Sequence, residues 1–199
     1  GLYYEPNSLR AKNCVNGRKQ LVEFSKFHNL NFEITGKIVV ATNQDELSRV
    51  KGIYERGKLN GLDGIRIIDP YEIKEIEPHI QGIKGIWVPQ SGIIDYSEVC
   101  NKFAELVKKI NPKSSIIPNS EVISFTKGID CKILTRNKSY LSKNLIFCGG
   151  LFSDRLATMD KVNKNIRIVG FRGDYFKLND SVKNKIRNLV YPIPNPKFP

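Results

Sequence analysis

Two hydrophobic periods alternate along this chain, and the alternation limits the folds open to it. In "IIDYSEVCNKFAELVKKI" the apolar residues Val99, Phe103, Leu106, Val107 and Ile110 fall on one helical face. In "FEITGKIVVAT" β-branched residues crowd a short run, and Gly36 divides it into two strands. Helical spacing also covers Ser8 to His28, with Asn7 or Ser8 as the cap, and Asn43 to Lys58, where Asn43 and Glu46 have the spacing of a capping box. A brief helix is predicted after Asp69-Pro70, because Pro at the first helical position loses no needed N–H. Further strands are predicted at Ile65 to Ile68, Gly82 to Val88, Ser115 to Pro118, Glu121 to Thr126, Cys131 to Thr135, Lys143 to Cys148, Arg167 to Leu178 and Leu189 to Ile193. This interleaving predicts an α/β protein, or an α/β part combined with an antiparallel part (α+β).

One junction carries more than fold. In "SKNLIFCGGLFSDRLA" an apolar run ends on Gly149-Gly150, and a helix-like segment begins at Leu151. Ser153 and Asp154 stand where they would cap that helix. Paired glycines make a tight strand-to-helix turn, and they also let a ligand approach the backbone with no Cβ in the way. The chain contains neither a Gly-x-Gly-x-x-Gly turn nor a Walker P-loop, so a complete pyrophosphate cradle is not readable here.

Composition narrows the chemistry. The formal net charge of +12 raises nucleic acid, membrane surfaces and anionic substrates as partners. Lysines are spread evenly and share segments with acids, as in "YEIKEIE", so a solvated surface explains the charge. A basic module for nucleic acid or an anionic membrane surface is the reading of another class; its affinity would fall steeply with salt. Cys14, Cys100, Cys131 and Cys148 lack paired spacing and read as small buried hydrophobes of a reducing compartment, not as a disulfide frame. With two histidines, His28 and His79, no zinc site is expected. No Ser-His-Asp or Cys-His constellation supports a hydrolase, and no apolar run approaches the length of a bilayer.

Several long stretches, "GLYYEPNSLRAKNCVNGRKQL", "GKIVVAT", "ERGKLNGL", "EIEPHIQGIKGIWVPQSGIIDY", "NLIFCGGLFSDRLA", "IRIVGFRGDYFKL" and "LVYPIPNPKFP", resemble FAD-dependent oxidoreductases of the D-amino-acid oxidase superfamily. Within it they resemble most the L-2-hydroxyglutarate oxidase/dehydrogenase branch. The resemblance runs over nearly the whole chain and implies the middle of a longer enzyme, without the Rossmann fingerprint or the final segment of the family. It implies a partial FAD-binding layer, residues 1–31 and 92–163, interleaved with a mostly antiparallel substrate domain, residues 32–91 and 164–199.

The implied cofactor is FAD. By this resemblance Cys148, Gly149, Gly150 and Leu151 lie against it, and Val122 matches a position whose backbone meets the adenine. The implied reaction takes a 2-hydroxy acid, L-2-hydroxyglutarate, to the 2-oxo acid, with oxygen or a quinone as electron acceptor; an amine- or glycerol-3-phosphate-oxidising relative is the alternative. A carboxylate substrate calls for a bidentate donor, which Arg172 of "FRGDYF" offers beside Tyr175; the other reading pairs Arg172 with a surface carboxylate. Tyr3 and Tyr4 would line the isoalloxazine pocket, or pack as core aromatics. The general base is not assigned, and no catalytic residue is named. Without the pyrophosphate turn, the chain by itself is expected to be inactive. The expected location is cytoplasmic, with peripheral attachment to the inner face of the membrane as an option and no nucleic-acid partner.

Overall fold

The computed structural model describes residues 1–162 and 165–197. The expected boundary at Asn163 and Lys164, and the end of the last expected segment at Pro199, lie outside the described residues. Two compact units form: Gly1–Pro112 with Leu178–Pro199, and Lys113–Lys177.

The first unit begins with α1 (Leu9–His28), whose Ser8 cap accepts a hydrogen bond from the Ala11 N–H at 3.1 Å. There follow β1 (Phe32–Glu33), β2 (Lys37–Ala41), α2 (Gln44–Leu59), β3 (Arg66–Ile68), α3 (Pro70–Ile76), β4 (Lys84–Val88), β5 (Ile93–Ile94) and α4 (Tyr96–Ile110). Asn43 caps α2 as expected, accepting from the Glu46 N–H. The Glu46 carboxylate reaches one residue further back than the capping box requires and accepts from the Thr42 N–H at 2.7 Å. The full capping box is instead at α3, between Asp69 and Glu72.

The second unit holds β6 (Val122–Thr126), β7 (Cys131–Thr135) and β8 (Ser139–Ser142) as an antiparallel meander, then a 3-10 turn at Gly150–Phe152 and α5 (Ser153–Met159). The chain then returns to the first unit with β9 (Leu189–Pro192). These units cut the chain along a different line from the cofactor and substrate segments read from the sequence. Residues 92–112 group with the first unit and residues 165–177 with the second.

The first unit is built around β2. It pairs antiparallel with β4 and parallel with β9, and β3 completes a sheet of order β3-β4-β2-β9. Ile38 to Ala41 are all buried, because the sheet is covered on both faces. Side chains alternate across a strand. Val39 and Ala41 therefore join Ile86, Val88 and the α2 residues Val50 and Ile53 on one face, and Ile38 and Val40 join Ile68 and Ile73 on the other. Gly36 enters this sheet with φ +80°, and a Cβ there would lie 2.0 Å from the Trp87 ring, so both the turn and the indole demand glycine. Glu77, fully buried at the end of α3, holds the returning chain: its Oε1 accepts from the N–H of Arg187 at 2.8 Å and from that of Asn188.

Several sequence expectations change. Ser115 to Pro118, Lys143 to Cys148 and Arg167 to Leu178 form no strand. A strand exists only where a second backbone completes its ladder, and these segments have none among the described residues. The β-branched content of "RIVGFRGDYFKL" is instead spread over exposed residues, with Phe171 and Phe176 largely in water. Conversely β8, "SYLS", carries little strand signal and is made by its pairing with β7, Cys131 opposite Ser142. The cysteines are free, and none is buried: Cys14, Cys100 and Cys148 are exposed and Cys131 is half-buried. The α4 apolar face forms as spaced, but only Val99 is buried; Phe103, which stacks on Phe24, is half in water.

Candidate functional site

The glycine junction belongs to the second unit. Leu145 and Phe147 are half-buried while Ile146 and Cys148 face out, the alternation of an extended chain without a ladder. The Phe147 ring meets Phe125 of β6 at 4.7 Å between centroids, which sets the segment against the meander. The two glycines then do different things. A Cβ on Gly149 would lie 2.4 Å from Leu156 Cδ1, so α5 folds back over this residue and leaves no room for a side chain. A Cβ on Gly150 would meet nothing within 4 Å. Its requirement is conformational: φ is +54°, which side-chain-bearing residues adopt at a cost. Gly149 is thus explained by packing, whereas Gly150 turns the chain beside open space.

Neither Ser153 nor Asp154 caps α5, which starts directly from the 3-10 turn without a side-chain cap. Asp154 sits inside the first turn, where its carboxylate accepts from the Arg155 N–H at 2.8 Å and from the Ile168 N–H at 3.0 Å. The bond from Ile168 holds the Asp154 pKa below the usual carboxylate value. Lys127 reaches Asp160 at 2.5 Å, linking the β6–β7 turn to the end of α5. Cys148 and Leu151 are exposed beside the glycines, and Val122 is half-buried at the start of β6, opposite Thr135.

Arg172 and Tyr175 also lie in the second unit. Both are exposed, Tyr175 almost completely, and Arg172 Nε pairs with Asp174 Oδ1 at 2.8 Å. Tyr4 lies in the first unit, 41% exposed, with its carbonyl accepting from Asn60 Nδ2 at 2.8 Å. Its neighbour Tyr3 has a different setting. Lys37 Nζ stands over the Tyr3 ring at 4.9 Å and over the Tyr191 ring at 5.4 Å. Burial, with the charge of Tyr191, pushes the Tyr3 pKa up to about 12. Burial lowers that of Lys37, against the opposing charge of Cys14.

Sequence reasoning passed over Lys37 and Glu77. A signal existed for Lys37 alone: a lysine heading "KIVVA", a run otherwise buried on both faces. Among the described residues no group of three or more His, Cys, Asp or Glu could hold a metal ion, and no helix is long and apolar enough to cross a membrane.

Comparison with known proteins gives this geometry a family. The family model described as "FAD dependent oxidoreductase" matches residues 1–199, and the chain belongs to that family. Over its whole length the chain is 40% identical to an L-2-hydroxyglutarate dehydrogenase of Indibacter alkaliphilus, of which it covers 50%. It is 34% identical to the mitochondrial L-2-hydroxyglutarate dehydrogenase of Homo sapiens, of which it covers 45%. The chain therefore spans about half the length of the curated relatives it matches. Among solved structures, the FAD-bound L-alpha-glycerophosphate oxidase of Mycoplasma pneumoniae shares the fold, with a TM-score of 0.74 at 21% identity over 97% of this chain and 52% of that one. Glycine oxidase of Geobacillus kaustophilus does so with a TM-score of 0.70 at 13% identity over 79% of this chain and 44% of that one.

Family membership makes FAD the cofactor to fit. At the glycine turn the described residues leave room for a ligand: the backbone at Gly150 borders open space that a Cβ would enter. The phosphate-binding fingerprint is not in the sequence.

Proposed function

We propose that this chain is part of an enzyme that oxidises a 2-hydroxy acid, L-2-hydroxyglutarate, to the 2-oxo acid. The observation that supports it most is the 40% identity, across the whole chain, to a protein named for that dehydrogenation. The oxidation removes a hydride from the α-carbon and a proton from the hydroxyl. FAD, when bound, supplies the hydride acceptor, and oxygen or a quinone reoxidises it. Cys148, Gly149, Gly150 and Leu151 form the turn against the cofactor, and Val122 lies at the adenine end. Arg172 anchors a substrate carboxylate, with Tyr175 and Tyr4 lining the site. In the structure Arg172 is engaged by Asp174, so substrate binding exchanges one carboxylate for another. Residues 1–31 and 92–163 serve the cofactor, and residues 32–91 and 164–199 the substrate. Exposed free cysteines fit a reducing, cytoplasmic setting, with peripheral contact at the inner face of the membrane as the route to a quinone.

Kinetics of the full-length enzyme with Arg172→Lys test the anchor. Loss of a bidentate charged hydrogen bond removes about 1.5–3 kcal/mol of transition-state binding, roughly ten- to hundredfold in kcat/KM, with flavin content unchanged. Unchanged kcat/KM would leave Arg172 as an exposed ion pair, worth about 0–1 kcal/mol. A second reading, an amine- or glycerol-3-phosphate-oxidising enzyme, is favoured by the fold likeness to the glycerophosphate and glycine oxidases. A substrate panel decides: turnover of glycine or glycerol-3-phosphate with none of L-2-hydroxyglutarate would select it.

A further inference from the structure

The carboxylate of Asp154 points two ways along the chain. Asp154 is the second residue of α5, and its Oδ1 accepts locally from the Arg155 N–H at 2.8 Å. Its Oδ2 accepts from the N–H of Ile168, 14 residues further on, at 3.0 Å. An acid in the first turn of a helix is accounted for by the helix dipole and needs no distant partner. The bond from Ile168 is what that account leaves over. A carboxylate suits it, because both oxygens accept and neither turns a donor toward an N–H.

The two ends of α5 connect this bond to the rest of the second unit. At the C-terminal end Lys161 takes a left-handed φ of +59°, with its N–H on the Thr158 carbonyl and the Val162 N–H on that of Ala157. This pair of bonds is a Schellman closure, which ends the helix and lets the chain turn back. At the N-terminal end α5 is joined to the glycine turn. The Phe152 N–H donates to the Gly149 carbonyl at 2.9 Å, and the Arg155 guanidinium lies 4.9 Å from the centre of the Phe152 ring. Ile168 in turn opens the segment that carries Arg172, four residues further on and at most about 14 Å of chain away.

We propose that Asp154 is a positioning residue: its carboxylate ties the start of the Arg172 segment to the helix that follows the glycine turn, and so sets the substrate anchor against the cofactor. This role rests on the proposed function, in which the turn meets FAD and Arg172 meets a substrate carboxylate. Hydride transfer needs the reacting atoms held about 3–3.5 Å apart, and a misplacement of about 1 Å costs on the order of a hundredfold in rate. A side chain that touches neither substrate nor cofactor therefore still governs the rate.

The full-length enzyme tests this with Asp154→Ala and with Asp154→Asn, which keeps the shape but offers one acceptor oxygen to two N–H groups. FAD content, amide exchange at Ile168 and anaerobic reduction of the bound flavin are measured on each. Both variants should keep their FAD and exchange Ile168 at least about tenfold faster. Flavin reduction by substrate should slow about ten- to hundredfold, while reduction by dithionite, which needs no anchor, should not change. The double variant Asp154→Ala/Arg172→Lys should lose less than the product of the two single losses, since both act through one segment. Unchanged exchange at Ile168 would overturn the proposal, as would an unchanged rate of reduction by substrate. Lost FAD with a normal rate in the loaded fraction would also overturn it and make Asp154 a structural residue of the turn. So would single losses that multiply, where Arg172→Lys has an effect by itself. A silent Arg172→Lys would reject the anchor and not the tie, which the Asp154 variants read without it. If L-2-hydroxyglutarate does not reduce the wild-type flavin, the substrate reading falls, and the same comparison is made with the substrate that the panel selects.

Discussion

The two compact units bury their sheets to very different degrees. In the first, the central strand β2 is covered on both faces, and Ile38, Ile68, Ile73 and Ile86 are wholly out of water. In the second, Ile133 and Thr135 of β7 are the buried residues among those described, and both retain a little exposure. Strand β8 alternates between exposed and half-buried positions, and β6 is exposed at Ile123, Ser124 and Thr126 and half-buried at Val122 and Phe125. The glycine junction and the Arg172 segment, the residues proposed for cofactor and substrate, both lie in this thinly buried unit. Groups that are to meet ligands cannot also be sealed in a core.

Core truncations should divide the units most sharply. Ile86→Ala removes a fully buried side chain packed between β2 and α2, and should cost about 3–5 kcal/mol. Ile133→Ala, with a thinner surround, should cost only about 1–2 kcal/mol. Urea melts of the two variants measure this directly. Equal losses would mean that the second unit is as firmly held as the first.

Glu77→Ala should come next, at about 2–4 kcal/mol, because it strips the acceptor from two backbone N–H groups in a dry site. Glu77→Gln keeps an acceptor oxygen and should lose less. Hydrogen exchange should report the change first at β9, which those bonds position beside β2. Exchange rising evenly over both units would instead make Glu77 a global rather than a local clamp.

The same contrast explains what the sequence made legible. In the first unit local signals and tertiary structure agree. Ser8, Asn43 and Asp69 each cap the helix their position announces, and the β-branched run "KIVVA" becomes the buried strand. In the second unit structure depends on pairing that no local pattern encodes. Leu145 to Cys148 and Arg167 to Leu178 have strand composition without a ladder, and "SYLS" has a ladder without strand composition. The glycine turn was visible as a feature but not as two separate requirements, since only Leu156 folding back distinguishes Gly149 from Gly150. Lys37 gave a signal, a lysine heading a buried run, but its place over the Tyr3 and Tyr191 rings is a property of the assembled unit. Glu77 looked like one more acid in a charged segment.

The two glycines give a finer test inside the second unit. Gly149→Ala places a methyl group against Leu156 and should lower stability by about 1–3 kcal/mol, whether or not a cofactor is present. Gly150→Ala finds room but must hold a positive φ, a strain of roughly 1–2 kcal/mol. In the full-length enzyme Gly150→Val should reduce FAD occupancy beyond that strain, because its side chain enters the open space. Full flavin content in the valine variant would separate this turn from the cofactor. For the chain by itself, absorbance near 450 nm after desalting should show little or no retained FAD.

The smallest effects should appear at the two ends of the pH range, one for each unit. Tyr3 has a folded pKa of about 12 against an ordinary value of 10.0. Its contribution is fully present below pH 10 and is lost as pH rises toward 12, because the unfolded tyrosine ionises first. Lys37 works the other way: its folded pKa lies below 10.5, so the penalty of burying its charge is relieved as pH rises toward that value. Tyr3→Phe should therefore flatten the fall in melting temperature of the first unit between pH 10 and 12. Lys37→Met, which keeps Tyr3 but removes the compensating lysine, should steepen the net slope at the approach to pH 10.5. In the second unit Asp154 has a lowered pKa set mainly by the Ile168 N–H, so its contribution is present above pH 3.8 and disappears as pH falls below it. Asp154→Asn should remove that acid-side loss without touching the alkaline limb. Melts followed at 295 nm for tyrosinate and by hydrogen exchange at Ile168 read the two limbs separately. An Asp154→Asn variant with an unchanged acid limb would show that the carboxylate's bonds to Arg155 and Ile168 do not hold the glycine turn's helix in solution.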